Sequence, residues 1–259
     1  MKPKIVFFGG ADYGKSTVIG YMYAVAHGMN IEGVERKLRE EVGPEYRPDF
    51  LYPYLVNPHA VKSILLPRKS KEIGRASSVD NEMINIEVPF EYREPLSITL
   101  IATPGHQRYV DKQQLGISMS DIGVFCLEIE KVLSGDFIKD TEMCYDLYSE
   151  IHQNGKLIYL LTMFDRVDYS ERVYNEAKGI ILEHCRTITT PRVEHTGFGL
   201  LNTIELAPDA IAIIPVAIEF KTREKKGVNI FEKSSKTPWY RGFPLKMALL
   251  EQSQEISVV

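Results

Sequence analysis

G-G-A-D-Y-G-K-S, running from Gly9 to Ser16, decides the fold. It matches G-x-x-x-x-G-K-[ST] at every fixed position. On its N-terminal side, Lys4 to Phe8 (KIVFF) is short, apolar and rich in β-formers, so it reads as a buried strand closed by Gly9-Gly10. On its C-terminal side, Lys15 to His27 (KSTVIGYMYAVAH) is apolar on nearly every side, as a helix lying against a sheet is, and Gly28 is its stop. Strand, glycine loop and helix are the context the motif needs. Glycines let backbone N–H groups turn inward around phosphate oxygens, and the helix N-terminus adds its positive dipole end. The stretch Gly10, Ala11, Asp12, Tyr13, Gly14, Lys15, Ser16 and Thr17 is therefore the candidate phosphate cradle. Lys15 is placed to reach β- and γ-phosphates, and the Ser16 hydroxyl to ligate Mg²⁺.

Outward from the loop, Ile31 to Val42 is an amphipathic helix. Gly43 to Ile73 has five prolines and no clear period, and reads as irregular. Glu82 to Tyr92 alternates like a strand with one wet face, Arg93-Glu94-Pro95 is a turn, and Leu96 to Ala102 is a second strand, so the pair forms a hairpin. Ile122 to Ile129 and Leu157 to Phe164 are continuous apolar runs suited to central parallel strands, with a helix over Asp140 to Gln153 between them. Ser170 caps a helix that runs to Arg186. Ala210 to Ile218 is another buried strand, and Leu245 to Gln252 a last helix. Strands and helices alternate after one hairpin. This predicts an α/β fold: a doubly wound, mostly parallel sheet with one antiparallel edge strand.

Composition narrows the function classes. With 44% hydrophobic and 25% charged residues, the chain is no disordered, collagenous or disulfide-dense sequence. A net charge of −4 gives no reason to expect direct nucleic-acid binding, although Lys221 to Lys226 (KTREKK) is a local basic run. Cys126, Cys144 and Cys185 make no CxxC pair, which fits a reducing compartment and no zinc site. The apolar run after Met1 is too short for a signal peptide or a membrane span, so the expected location is the cytoplasm.

Gly9 to Thr17 (GGADYGKST) resembles the first motif of translational GTPases of the elongation factor Tu and 1-alpha type, usually GHVDHGKST. Thr103 to Val110 (TPGHQRYV) is similar to their D-x-P-G-H motif and its continuation. Asp165 to Ser170 (DRVDYS) resembles the stretch from the aspartate of N-K-x-D onward. Gly227 to Ile230 and Pro238 to Gly242 (PWYRG) resemble the G-D-N and P-W-Y-x-G end of the same G domain, and Val34 to Tyr54 the helix-rich insertion of the 1-alpha branch. The GTPase subunit of bacterial sulfate adenylyltransferase shares TPGH-x-x-Y and VDYS. The resemblance implies a P-loop G domain over residues 1–259, with an irregular switch-type insertion at about 43–81, that binds GTP or GDP with Mg²⁺. It also implies a protein or ribonucleoprotein partner acting as activator or effector. The two β-barrels present in full-length members, which grip aminoacyl-tRNA, have no counterpart before Val259.

Roles carry over residue by residue. In the family the histidine after P-G positions the attacking water, which implies a catalytic His106. Gly105 would donate its N–H to the γ-phosphate. Asp165 would accept from guanine N1–H and the exocyclic amine. Thr162 and Met163 stand where the family has asparagine and lysine, and Ala217, before Ile218, where it has the serine of the last base-contacting motif. The aspartate of D-x-P-G, which holds Mg²⁺ through water, is Ala102 here. Arg75 to Asp80 (RASSVD) aligns with an R-G-I-T-I-D switch and makes Ser78 a second candidate Mg²⁺ ligand; a plain turn before a strand reads equally well. Asp80 offers a carboxylate that could stand in for the one absent at Ala102. Three functions remain open: a slow Mg²⁺-dependent GTPase switch, a non-hydrolysing binding module, and a P-loop protein with relaxed base choice.

Overall fold

The computed structural model describes residues 2–43, 51–56, 81–138, 157–189, 212–219 and 227–256. Its centre is a six-stranded sheet in the order β2-β3-β1-β4-β5-β6. The strands are β1 (Lys4–Phe8), β2 (Glu82–Val88), β3 (Leu96–Ala102), β4 (Ile122–Glu128), β5 (Leu157–Thr162) and β6 (Ala212–Pro215). All neighbours are parallel except β2 and β3, which pair antiparallel from Glu82 opposite Ala102 to Val88 opposite Leu96. The expected hairpin and its edge strand are thus present, although β2 stops at Val88 rather than Tyr92. Strands covered on both faces need apolar side chains throughout. Ile5, Val6, Phe7 and Phe8 are fully buried, as is nearly all of β4 and β5. Phe8 stacks on Phe125 of the next strand at 4.7 Å.

The helices are α1 (Lys15–Ala26), α2 (Ile31–Val42), α3 (Leu51–Val56), α4 (Val110–Ser118), α5 (Ile129–Ser134), α6 (Glu171–Thr189) and α7 (Leu245–Ile256). Four of the expectations need correction. Part of the stretch read as irregular is helical, because α3 lies within it. The buried residues Leu51, Tyr52 and Val56 of α3 are held against the core. Neither α4 nor α5 was foreseen, and Ile129 opens α5 instead of ending β4. The run from Ala210 to Ile218 is not one strand. Val216 still donates its N–H to the Leu161 carbonyl of β5 at 2.8 Å and accepts from the Phe164 N–H at 3.1 Å, but the strand in the main sheet ends at Pro215. The chain continues as β7 (Ala217–Ile218), paired antiparallel with β8 (Gly227–Val228) in a separate sheet. Finally, α7 runs to Ile256, past the expected Gln252. Ser170 does precede α6 and accepts from the Val173 N–H at 3.4 Å. The helix expected over 140–153 lies outside the described residues, as does the basic run at 221–226. Among the described residues, no helix is long and apolar enough to cross a membrane.

The close seating of α3 on α1 depends on Gly20. A Cβ built there would lie 2.1 Å from the Tyr52 carbonyl oxygen. Backbone cannot give way as a flexible side chain does, so Gly20→Ala must push the two helices apart. We expect a loss of about 2 kcal/mol, of the size that overpacking costs, read as a lower urea midpoint at unchanged slope.

Candidate nucleotide-binding site

The loop from Gly9 to Ser16 joins the C-terminal end of β1 to α1. Gly14 caps α1 with φ 79°, a left-handed conformation that glycine adopts without penalty. Lys15 is only 6% exposed. A buried ammonium has to be surrounded by oxygen. Its Nζ donates to the carbonyls of Gly10 at 2.6 Å and Gly9 at 3.0 Å. Ala11 and Asp12 are exposed at the loop tip, Ser16 and Thr17 are half-buried on the first turn of α1, and the buried Tyr13 ring lies against Gly10.

The turn after β3 packs onto this loop. Thr103 donates to the Phe7 carbonyl with both its N–H, at 3.2 Å, and its hydroxyl, at 2.9 Å. A Cβ built on Gly105 would lie 2.5 Å from both the Gly10 oxygen and Lys15 Nζ. A side chain at position 105 would therefore collide with the lysine and the loop backbone. His106 is half-buried beside it; its Nδ1 accepts from the Arg108 N–H at 3.4 Å and its ring meets Tyr109 edge-on at 6.4 Å. Gln113 on α4 was not singled out in the sequence. It is 4% exposed, and its Nε2 donates to the Pro104 carbonyl and, at 3.4 Å, to the Gly9 carbonyl.

The ends of β5 and β6 bring up the other wall. Thr162 sits where its hydroxyl can donate to the Tyr13 carbonyl at 2.9 Å or the Leu127 carbonyl at 3.2 Å, one at a time because it has one proton. It ties the phosphate loop to the neighbouring strand ends. Met163 turns left-handed at φ 56°, and a 3₁₀ turn spans Phe164–Val167. This turn holds Asp165 out into solvent, and its carboxylate has no hydrogen bond or ion pair among the described residues. Arg166 instead pairs with Glu128 and, at 2.9 Å, with Glu130.

Ala217 and Ile218 are buried on β7. Asn229, which the sequence offered only as part of a resembling segment, proves to be the anchor of this wall. It is fully buried at φ 53°, and its Nδ2 donates to the Pro215 carbonyl at 2.8 Å and to Thr237 Oγ1 at 2.9 Å. Its Oδ1 accepts from the Ser234 N–H at 3.0 Å.

Ala102 ends β3, 2% exposed, level with Phe7 and Glu82. Ser78 and Asp80 lie outside the described residues. Among the described residues, no group of three or more His, Cys, Asp or Glu is placed to hold a metal ion. Cys126, buried on β4, has its thiol pushed up to about 12 by burial, against the opposing pull of Lys15, and stays protonated.

The family model described as the elongation factor Tu GTP binding domain matches residues 2–250. Elongation factor 1-alpha of Nanoarchaeum equitans is 26% identical over 246 residues, which are 95% of this chain and 47% of that protein. The same factor from Methanococcus maripaludis strain C7 is 25% identical, over 92% of this chain and 46% of that one. The chain thus spans about half the length of the curated relatives it matches. Among solved structures, the S. cerevisiae Ski7 GTPase-like domain bound to GTP superposes with a TM-score of 0.62 at 17% identity, over 98% of this chain and 51% of that chain. Sup35 complexed with GDP gives 0.52 at 17% identity, over 96% and 44%. These likenesses show the fold.

Beside the Asp165 turn, Glu219 accepts from the Tyr169 hydroxyl at 2.7 Å and from Lys236, and the Trp239 indole donates to the Tyr169 carbonyl at 3.0 Å. Burial acts to raise the Glu219 carboxyl, but the Lys236 and Tyr169 hydrogen bonds outweigh it and hold it below the ordinary glutamate value. A depressed carboxylate contributes its stability above the unfolded pKa and loses it as pH falls through the folded one. Trp239 is the sole tryptophan. Its fluorescence should therefore show an acid transition below the ordinary glutamate range, and Glu219→Gln should abolish that transition.

Proposed function

The chain belongs to the elongation factor Tu GTP binding domain family, and from that membership we propose that it is a guanine-nucleotide switch that holds GTP or GDP with Mg²⁺ and hydrolyses GTP slowly. The observation that carries the proposal is the meeting of the two loops: the buried Lys15 ammonium lies among the Gly9 and Gly10 carbonyls with Gly105 directly against it. In this reading residues 1–259 form one G domain with its switch-type insertion at about 43–81. Residues Gly10 to Thr17 receive the phosphates, with Lys15 at the β- and γ-oxygens and the Gly105 N–H at the γ-phosphate. Thr162 braces the loop, Asp165 accepts from guanine, and Met163, Ala217 and Ile218 line the base.

Hydrolysis would be in line: a water oriented by His106 attacks the γ-phosphorus, the bond to the β–γ bridging oxygen breaks, and GDP and phosphate leave. Such catalysis is mostly positioning and charge stabilisation. The site fits Mg²⁺ only in part. Ser16 offers a direct oxygen, and Ser78 a second one in the proposed switch, but Ala102 offers no carboxylate to order the metal's water shell. Bound there, the ion would offset charge on the β- and γ-oxygens. A protein or ribonucleoprotein partner in the cytoplasm would accelerate or read the cycle.

The Ala102 methyl favours a second reading, a module that binds nucleotide without turning it over. Nucleotide released by denaturing the purified protein and identified by chromatography tests the guanine reading directly: GDP or GTP is expected, and adenine nucleotide would overturn it. Asp165→Asn should lessen the preference for GTP over ATP and raise affinity for xanthosine nucleotides, measured by competition binding. Loss of an outer-shell anchor costs about 10- to 100-fold in metal affinity or activity. Ala102→Asp should accordingly lower the Mg²⁺ requirement in single-turnover hydrolysis and raise the rate, and adding His106→Ala should cancel the gain. No hydrolysis in Ala102→Asp would favour the binding module.

A further inference from the structure

We infer that Gln113 is a positioning residue that sets the preference for GTP over GDP by holding the Pro104–Gly105 peptide in one orientation. The inference rests on the guanine-nucleotide reading above. It starts from a buried carboxamide whose two N–H groups have two specific carbonyl partners. Gln113 Nε2 donates to the Pro104 oxygen and to the Gly9 oxygen, which also accepts from Lys15. The side chain is 4% exposed, so water does not compete for these bonds.

The Pro104 carbonyl and the Gly105 N–H belong to one peptide unit. A trans peptide is planar, and its C=O and N–H point in opposite directions. A hydrogen bond that holds the oxygen toward Gln113 therefore turns the Gly105 N–H away from it. Gly105 itself lies against Lys15 Nζ and the Gly10 oxygen, at the end of the loop that the γ-phosphate would reach. Only one orientation of this peptide suits an anion. With the oxygen on Gln113 the N–H is free to donate, whereas the reverse would aim a carbonyl dipole at phosphate. GDP does not extend to Gly105, so the effect falls on the triphosphate alone. The bond to Gly9 adds a second consequence: one side chain spans the start of the phosphate loop and the turn after β3, and the two loops hold their spacing together.

The test compares GDP with a non-hydrolysable GTP analogue by titration calorimetry on the full chain. Gln113→Met keeps the volume and removes both donors; Gln113→Glu keeps the shape and presents oxygens to two carbonyls. Both should lose about tenfold more affinity for the analogue than for GDP, the worth of one well-made hydrogen bond. A merely structural role would weaken both nucleotides alike and leave their ratio unchanged, which would overturn the inference, as would a rise in the ratio. Should both variants fail to fold, wild-type NMR decides: a hydrogen-bond coupling from the Gln113 carboxamide nitrogen to the Pro104 carbonyl is expected with GDP and with the analogue alike, the Gly105 amide alone shifting when the analogue replaces GDP, and absence of that coupling with the analogue would overturn the inference. Failure of the wild type to bind either nucleotide would instead refute the guanine reading on which the inference stands.

Discussion

A lysine ammonium buried where β1 passes into α1 is the constraint on which the rest of this structure depends. Taking such a charge out of water is costly unless oxygens surround it. Here the Gly9 and Gly10 carbonyls supply them, within the loop itself. Further supports come from outside: Thr162 from β5, Gln113 from α4 and, through Phe7, Thr103 from the end of β3. The parallel sheet sets these supports at one edge, because β1, β3, β4 and β5 all end on the same side. Topology and charge are thus one problem, in which the sheet brings together the strand ends that keep the lysine solvated by protein.

What was legible in the sequence was local. KIVFF leading into GGADYGKS announces strand, loop and helix within 24 residues, and the continuous apolar runs of β4 and β5 announce a sheet covered on both faces. What was hidden depended on distance or on brevity. The six residues of α5 begin without a break from β4, so the apolar run gave no boundary between them. The segment AIAIIPVAI has one uniform pattern, yet it is divided at Val216 between two sheets, a change that no periodicity encodes. In the site, the phosphate loop was readable because its chemistry is contiguous. Thr162 was legible only through the resemblance, since its partner Tyr13 lies 149 positions away, and Gln113, 104 positions from Gly9, was not legible at all. Gln113 was doubly concealed: it lies on a helix that was itself missed, and a buried glutamine looks like any polar residue until its partners are known.

The departures at the site are of unequal weight. Thr162 is shorter than the amide at the resembling position, yet its hydroxyl reaches the Tyr13 carbonyl, so β5 is tied to the loop in this chain. Ala102 leaves nothing polar behind, since a methyl group offers no oxygen to a metal's water. One difference keeps a donor against the loop, and the other leaves no polar side-chain atom at the position. Counting motif mismatches would treat the two alike; their hydrogen-bonding inventories do not.

Asn229 sets an order of events in time. The Pro215 carbonyl at the end of β6 is held by this side chain, whose other bonds run to Ser234 and Thr237, while the Asn229 carbonyl receives the Leu245 N–H at 2.9 Å. Chains are made from the N-terminus, and domains assemble as their parts emerge. The phosphate loop and β1 are synthesised first, but the wall that carries Ala217 lacks its Asn229 bonds until the stretch through Thr237 has left the ribosome. A nascent chain therefore owns its lysine and glycines long before it owns the Asn229 bonds, and completion of the candidate site is coupled to the emergence of this later segment.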